Sequence, residues 1–356
     1  SNADRAEALI RDAAAKGAQV VLIQELFAAP YFCITQRPEY FDLALPMEGH
    51  PLIARFQSVA RELGVVLPLS FFERAGTAFF NSVAMIDADG RVLGRYRKSH
   101  IPQGPGYEEK FYFSNGDTGF RVWDTAHARI GVGICWDQWF PEAARSMALK
   151  GAEMLLYPTA IGSEPPAPGY DSQPHWEMVM RGHAAANILP VIASNRIGSE
   201  VAPGGTEVTF YGSSFIADQT GALMAKAGRE GEEVLLHRFD LDAIAALRGS
   251  WGLFRDRRPE TYRAVGTLDG RLEREGSLAD EVHQDQQRML DERQAGRGLL
   301  TYVTRHRLLR TARSRAHRRR CSAEGELSQA GDEISPRQES GVRRQRGPLQ
   351  SDQRGL

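Results

Sequence analysis

Cysteine is scarce in this chain: 356 residues hold three. An odd number spread over so long a chain builds no disulfide framework, and no C-x-x-C spacing is present, so a zinc ribbon or a thioredoxin-type redox motif is excluded. Long apolar runs are lacking as well. None reaches the roughly 18–20 residues that span a bilayer, and no charged-then-apolar leader pattern opens the sequence. The expectation is a protein of a reducing, cytoplasmic setting with no membrane partner. Lysine is absent from residues 271–356, which carry 18 Arg against 13 Asp and Glu, a balance of +5; residues 1–270 balance at −6. The two parts differ in kind.

What is present in residues 1–270 reads as alternating helices and strands. Residues 4–18, 52–64, 141–151 and 174–188 space apolar residues as amphipathic helices do, and the first two stop at glycine. Residues 19–26, 65–74, 79–90, 91–98, 129–136, 152–160 and 189–198 read as strands, with an Asp-Gly turn at 89–90; two late strands follow at 213–221 and 232–241. Hairpins mixed with strand–helix–strand units give an α/β class with a mixed sheet or two sheets. Residues 271–356 are rich in Gln, Arg, Ser, Gly and Glu and read as a poorly ordered or partly helical tail. Its basic run at 306–320 is either a solvated segment or a nucleic-acid contact; nucleic acid is not the expected partner.

Three segments carry chemistry. "VVLIQELF" ends an apolar run on Glu25, a carboxylate that is costly there unless it is paired, is functional or turns to solvent. "RYRKSHIPQGPGYEEKFYF" ends a strand on Lys98, then leads through a Pro/Gly loop containing Tyr107 to Glu108 and Glu109, one of which is expected to be partly buried. "RIGVGICWDQWFPE" places Cys135 between a strand and the helix begun by Pro141. A cysteine in a strand is either an inert small hydrophobe or, at such a strand-to-turn position, an exposed nucleophile. A nucleophilic thiol needs an activator, and a lysine or a carboxylate supplies one. His100, His127, His175 and His183 offer the competing Cys–His scheme, although His183 in "RGHAAAN" reads as a helix residue held by hydrogen bonds.

Together, "IQELF", "RYRKSHIP" and "GVGICWDQWFPEAAR" resemble, in order and spacing, the three signature segments of the nitrilase superfamily of carbon–nitrogen hydrolases, over about residues 4–270. "LLYPTAIGSEP", "GHAAANILPVIASNRIG", "ELFAAPYFC" and "SWGLFRDRRPETY" are similar to its N-carbamoylputrescine amidase branch. The resemblance implies an αββα sandwich, Glu25 as general base, Cys135 as nucleophile, Lys98 as stabiliser of the tetrahedral intermediate, Glu109 as a positioning acid and the Trp136 N–H in the oxyanion site. It further implies no metal or organic cofactor, an oligomer built on a dimer, and hydrolysis of N-carbamoylputrescine to putrescine, carbon dioxide and ammonia.

A cationic ureido substrate needs a carboxylate or aromatic face for its ammonium. Glu164 is the first candidate and Tyr107 the second, and residues 157–176 contain no arginine to favour an anionic substrate. Another linear amide or ureido acid, or a catalytically impaired scaffold, are the alternatives. Two departures from the family stand out. Residues 271–356 have no counterpart. Family members also begin with a strand where this sequence opens at the first helix, so the expectation is a domain short of that strand, with unpaired ladder groups and a slot in its core.

Overall fold

The structure, a computed structural model, describes residues 1–271 together with Gln287 and Asp291. The basic run at 306–320 lies outside the described residues. One compact unit spans Ser1–Arg257. Beyond it, residues 258–271 contain two short 3-10 turns, Pro259–Thr261 and Arg263–Gly266.

Helix α1 (Asn2–Ala15) starts at a capping box in which Ser1 and Asp4 satisfy each other's backbone N–H groups. Helix α2 (Pro51–Leu63) opens on proline and stops at Gly64, whose φ of +66° is left-handed and suits glycine. Its Ile53, Phe56, Val59 and Ala60 are buried on one stripe. Strands β1 (Leu67–Ala75), β2 (Ala78–Ile86) and β3 (Val92–Arg97) form an antiparallel sheet in that order. A single turn of helix, α3 (Glu109–Tyr112), follows.

The second sheet gathers β4 (Val122–Asp124), β5 (Arg129–Val132), β6 (Met154–Thr159), β7 (Val191–Asn195), β10 (Phe215–Ala217) and β11 (Leu223–Lys226). Its order is β11-β10-β7-β6-β5-β4, with β5, β6 and β7 parallel and the flanking pairs antiparallel. Helices α4 (Pro141–Leu149) and α5 (Gln173–Asn187) supply the crossovers between the parallel strands. Strands β8 (Ile197–Val201) and β9 (Glu207–Tyr211) make a separate hairpin, and α6 (Leu241–Trp251) closes the unit.

Three buried clusters show how the layers stack. Ile10, Phe56 and Val59 of the first two helices pack on Leu67 and Leu69 of β1. Val83, Met85 and Tyr96 of the first sheet pack on Ile130, Val132 and Leu156 of the second. Met147, Trp176 and Met180 of α4 and α5 cover the second sheet's other face at Leu155, Val191 and Phe215. The arrangement is helix, sheet, sheet, helix: an αββα sandwich.

Two runs read as strands do not form them. Residues 19–24 meet the residue before β1 through one isolated parallel bridge, Val20 to Val66, and residues 232–240 join no ladder. Both runs line a cavity of about 960 Å³, together with Leu156, Ile192 and Phe215. An apolar run becomes a strand only when a neighbour takes its backbone groups, and among the described residues no second strand lies beside either run. The 129–136 strand also ends early, at Val132, and gives way to a 3-10 helix, Cys135–Trp139. No helix among the described residues is long and apolar enough to cross a membrane.

Candidate active site

Glu25 closes the extended run that follows α1, Lys98 immediately follows β3, Glu109 opens α3 and Cys135 follows the parallel strand β5. All four side chains are buried, and Glu25, Lys98 and Glu109 have no solvent exposure. Lys98 Nζ donates to Glu25 Oε1 (2.8 Å) and to Glu109 Oε2 (2.7 Å). Carboxylates 73 residues before and 11 residues after Lys98 therefore meet at one ammonium.

The partners around this centre are specific. Asn81 Nδ2 donates to Glu25 Oε1 at 2.6 Å, while the buried Glu25 Oε2 has no partner. Tyr31 Oη donates to Glu109 Oε1 at 2.7 Å. Arg196 donates to the carbonyls of Leu26 (2.9 Å) and Ala29 (3.1 Å), clasping the turn after Glu25, where Leu26 has φ of +47°. Gly116 packs against the chain at Lys98, and a Cβ there would lie 2.1 Å from the Arg97 carbonyl oxygen.

Cys135 also has a left-handed backbone, φ +41°. A non-glycine residue held there stores about 1–3 kcal/mol of strain, which surrounding contacts must offset. Its Sγ lies 3.6 Å from the Ala160 carbonyl. Among the described residues no histidine hydrogen-bonds to it. His183 instead sits in α5 against the Gln138 carbonyl (Nε2 to O, 2.8 Å), and His100 meets Asp137. The Trp136 N–H, one residue on, donates to no backbone carbonyl among the described residues.

Electrostatics follow from burial. Desolvation pushes the Glu25 carboxyl up to about 7, against the pull of Lys98. Desolvation, helped by the Glu25 charge, pushes the Cys135 thiol well up, and Lys98 opposes it. Lys98 is held well above the ordinary lysine range: burial works against the ammonium, but the two carboxylates outweigh it. The result is a protonated thiol, within electrostatic reach of a carboxyl whose affinity for a proton is raised and whose second oxygen is free.

Tyr107 accepts the Gly162 N–H (2.9 Å) and donates to the Ser163 carbonyl (3.0 Å). Glu164 follows directly, half-buried, and its charge adds to burial in raising the Tyr107 hydroxyl. The structure thus brings these two residues together on the loop after β6. Arg229 reaches the same loop from outside residues 157–176 but donates to Asp171 at 2.5 Å. The sequence did not single out Asn81, Tyr31 or Arg196; a lone asparagine inside the apolar "AFFNSVAMI" was the available signal for the first. Among the described residues no cluster of His, Cys, Asp and Glu could hold a metal ion.

Residues 1–249 match the carbon-nitrogen hydrolase family. The chain is 60% identical over 275 residues to an N-carbamoylputrescine amidase of Arabidopsis thaliana, covering 76% of this chain and 92% of that one. It is 57% identical over 264 residues to a citrullinase of Francisella tularensis, covering 74% and 92%. A crystal structure of a carbon-nitrogen hydrolase from Helicobacter pylori G27 superposes with a TM-score of 0.70 at 42% identity, covering 74% of this chain and 92% of that one. On sequence and fold alike, this chain belongs to the carbon–nitrogen hydrolases of the nitrilase superfamily.

Proposed function

We propose that the enzyme hydrolyses N-carbamoylputrescine to putrescine, carbon dioxide and ammonia, with Cys135 as nucleophile. The observation that carries this reading is the buried Glu25–Lys98–Glu109 cluster acting on the Cys135 thiol, in a chain about 60% identical to N-carbamoylputrescine amidases. Glu25 takes the thiol proton as Sγ attacks the ureido carbon, and the developing oxyanion lies toward Lys98 and the Trp136 N–H. The adduct collapses as Glu25 returns the proton to the departing nitrogen, leaving a thioester-type intermediate. Water, deprotonated by Glu25, attacks that intermediate; Glu25 passes the proton to the departing sulfur, which frees the thiol, and the carbamic acid released loses carbon dioxide to leave the second amine. Glu109 holds Lys98 in line. No cofactor is needed for these steps.

Substrate choice follows from charge. The far end of putrescine is an ammonium, for which Glu164 supplies a carboxylate and Tyr107 an aromatic face. The likeness to a citrullinase supports a second reading, a ureido amino acid. Such a substrate adds a carboxylate to be matched, and Arg229, the arginine at that loop, is already paired with Asp171. The free thiols Cys33 and Cys135 fit a reducing, cytoplasmic setting, and the family relationship supports a homo-oligomer built on a dimer.

The test is ammonia release from N-carbamoylputrescine, citrulline and β-ureidopropionate. Turnover of the first is expected, abolished in Cys135→Ala. Glu164→Ala is expected to raise KM for the cationic substrate about tenfold more than for a neutral analogue. Release from citrulline alone would move the assignment to the second reading, and equal KM effects would remove Glu164 from the pocket.

A further inference from the structure

One buried carboxylate near the nucleophile takes no part in the chemistry just described. Asp137 has no solvent exposure, and its two oxygens accept four hydrogen bonds. Oδ1 accepts the His100 N–H at 3.0 Å and faces His100 Nδ1 at 2.7 Å, so Nδ1 carries the ring proton. Oδ2 accepts the Tyr96 hydroxyl at 2.7 Å and the Ile134 N–H at 2.9 Å.

The origin of these donors matters more than their number. A carboxylate that only capped the 3-10 helix would need the Ile134 N–H alone. Here three of the four donors come from Tyr96 and His100, which flank Lys98 two residues on either side. The fourth comes from the residue before Cys135. Tyr96 is itself buried, and its hydroxyl also bonds Ser99 Oγ (3.0 Å) and accepts the Ser99 N–H (3.2 Å), fixing the chain one residue past the lysine. His100 stacks flat on Phe140, with ring centroids 3.6 Å apart and planes 6° apart, which ties the same strap to the far end of the 3-10 helix. Cys135 sits inside this frame with its strained φ of +41°.

We propose that Asp137 is a positioning residue that sets the Cys135 sulfur against the Lys98 ammonium by bonding both chain segments at once. The proposal rests on the reading of Cys135 as nucleophile. No route through covalent bonding connects the two segments within thirty residues; the carboxylate is a direct link between them. In Asp137→Asn one oxygen becomes an N–H donor, which cannot accept the backbone N–H it faces: that of Ile134 in one amide orientation, that of His100 in the other. The thiol then drifts from its partners while the surrounding core remains.

The experiment uses the full chain, with N-carbamoylputrescine as substrate and iodoacetamide as thiol probe, the alkylated site being identified by peptide mass. Asp137→Asn is expected to lower kcat about 100-fold, the effect of a displacement of about an ångström, with KM within about threefold of wild type. The pH midpoint of Cys135 alkylation is expected to move, because the thiol no longer feels Lys98 and Glu25 equally; a structural role alone leaves that midpoint in place. Tyr96→Phe is expected to lower kcat about tenfold, and the double variant to match Asp137→Asn alone, because both act through one link. A kcat for Asp137→Asn near wild type, or losses that multiply in the double variant with an unmoved alkylation midpoint, would overturn the proposal. If Asp137→Asn does not fold, Tyr96→Phe decides: a tenfold loss of kcat at an unchanged unfolding temperature supports the link, and an unchanged kcat sinks it. Cys135→Ala separates the two levels. An active Cys135→Ala ends the reading of the nucleophile itself, whereas an inactive one beside a fully active Asp137→Asn ends only the positioning role.

Discussion

At the scale of single residues, the site works by making charges expensive and then pairing them. Burial lifts Glu25 to about 7, so its carboxyl is protonated below that pH and cannot take the Cys135 proton. Turnover therefore falls as the medium is acidified through about pH 7, and the limb appears in kcat/KM, which reports the free enzyme. A profile that stays flat from about pH 8 to about pH 6 would remove Glu25 as the base. Glu25 and Cys135 end apolar runs and Lys98 ends a strand, placements that are ordinary one at a time; the three stood out together, through their resemblance to the family's signature segments. Between Glu108 and Glu109 the residues alone left the choice open and the resemblance pointed to Glu109; the fold buries that carboxylate against Tyr31 and Lys98, contacts that no local pattern encodes. Asn81 and Arg196 were illegible for the same reason. Their function is a contact across the molecule, and no local pattern encodes the other half of it.

At the scale of elements, helices were read well because amphipathic spacing and caps are properties of one segment. Residues 52–64 became Pro51–Leu63 and residues 141–151 became Pro141–Leu149. Strands are properties of pairs, and here the reading failed where a neighbour was missing. Residues 232–241 have the composition of a strand, yet 235–239 make no backbone hydrogen bond with another described residue. Residues 65–74 and 79–90 found each other and formed β1 and β2 in register from Leu67–Ile86 to Ala75–Ala78. Hydrogen exchange separates the two situations. Amides of 235–239 are expected to exchange at close to unprotected rates, while those of β6, paired on both sides, exchange only through large openings. Equal protection in the two segments would mean that 232–240 has a ladder partner after all.

At the scale of the whole molecule, the sandwich came from resemblance, whereas its layering is a matter of where apolar faces go. The first sheet buries one face against α1 and α2 and the other against the second sheet, which α4 and α5 cover in turn. Groups that follow strands of both sheets then enter one site: Lys98 after β3 of the first and Cys135 after β5 of the second, with Glu25 held by its backbone N–H to Thr159 of β6. Five tryptophans are spread through this body, and they differ sharply in surroundings. Trp123 and Trp176 are buried, while Trp136, next to Cys135, is 38% exposed and meets Trp139 edge-on at 6.2 Å. Trp251, on α6, is the other strongly exposed indole. On the proposed mechanism an acyl group on Cys135 arrives one residue from the exposed Trp136, whereas Trp123 and Trp176 are shut away from water. In a Trp251→Phe background, stopped-flow emission is therefore expected to shift as the intermediate accumulates and to return as it is hydrolysed; a trace without either phase would show that Trp136 does not sense the acyl group. On the proposed mechanism, the exposed indole beside Cys135 gives this chain a fluorophore of its own, placed to time both halves of the reaction without an added dye.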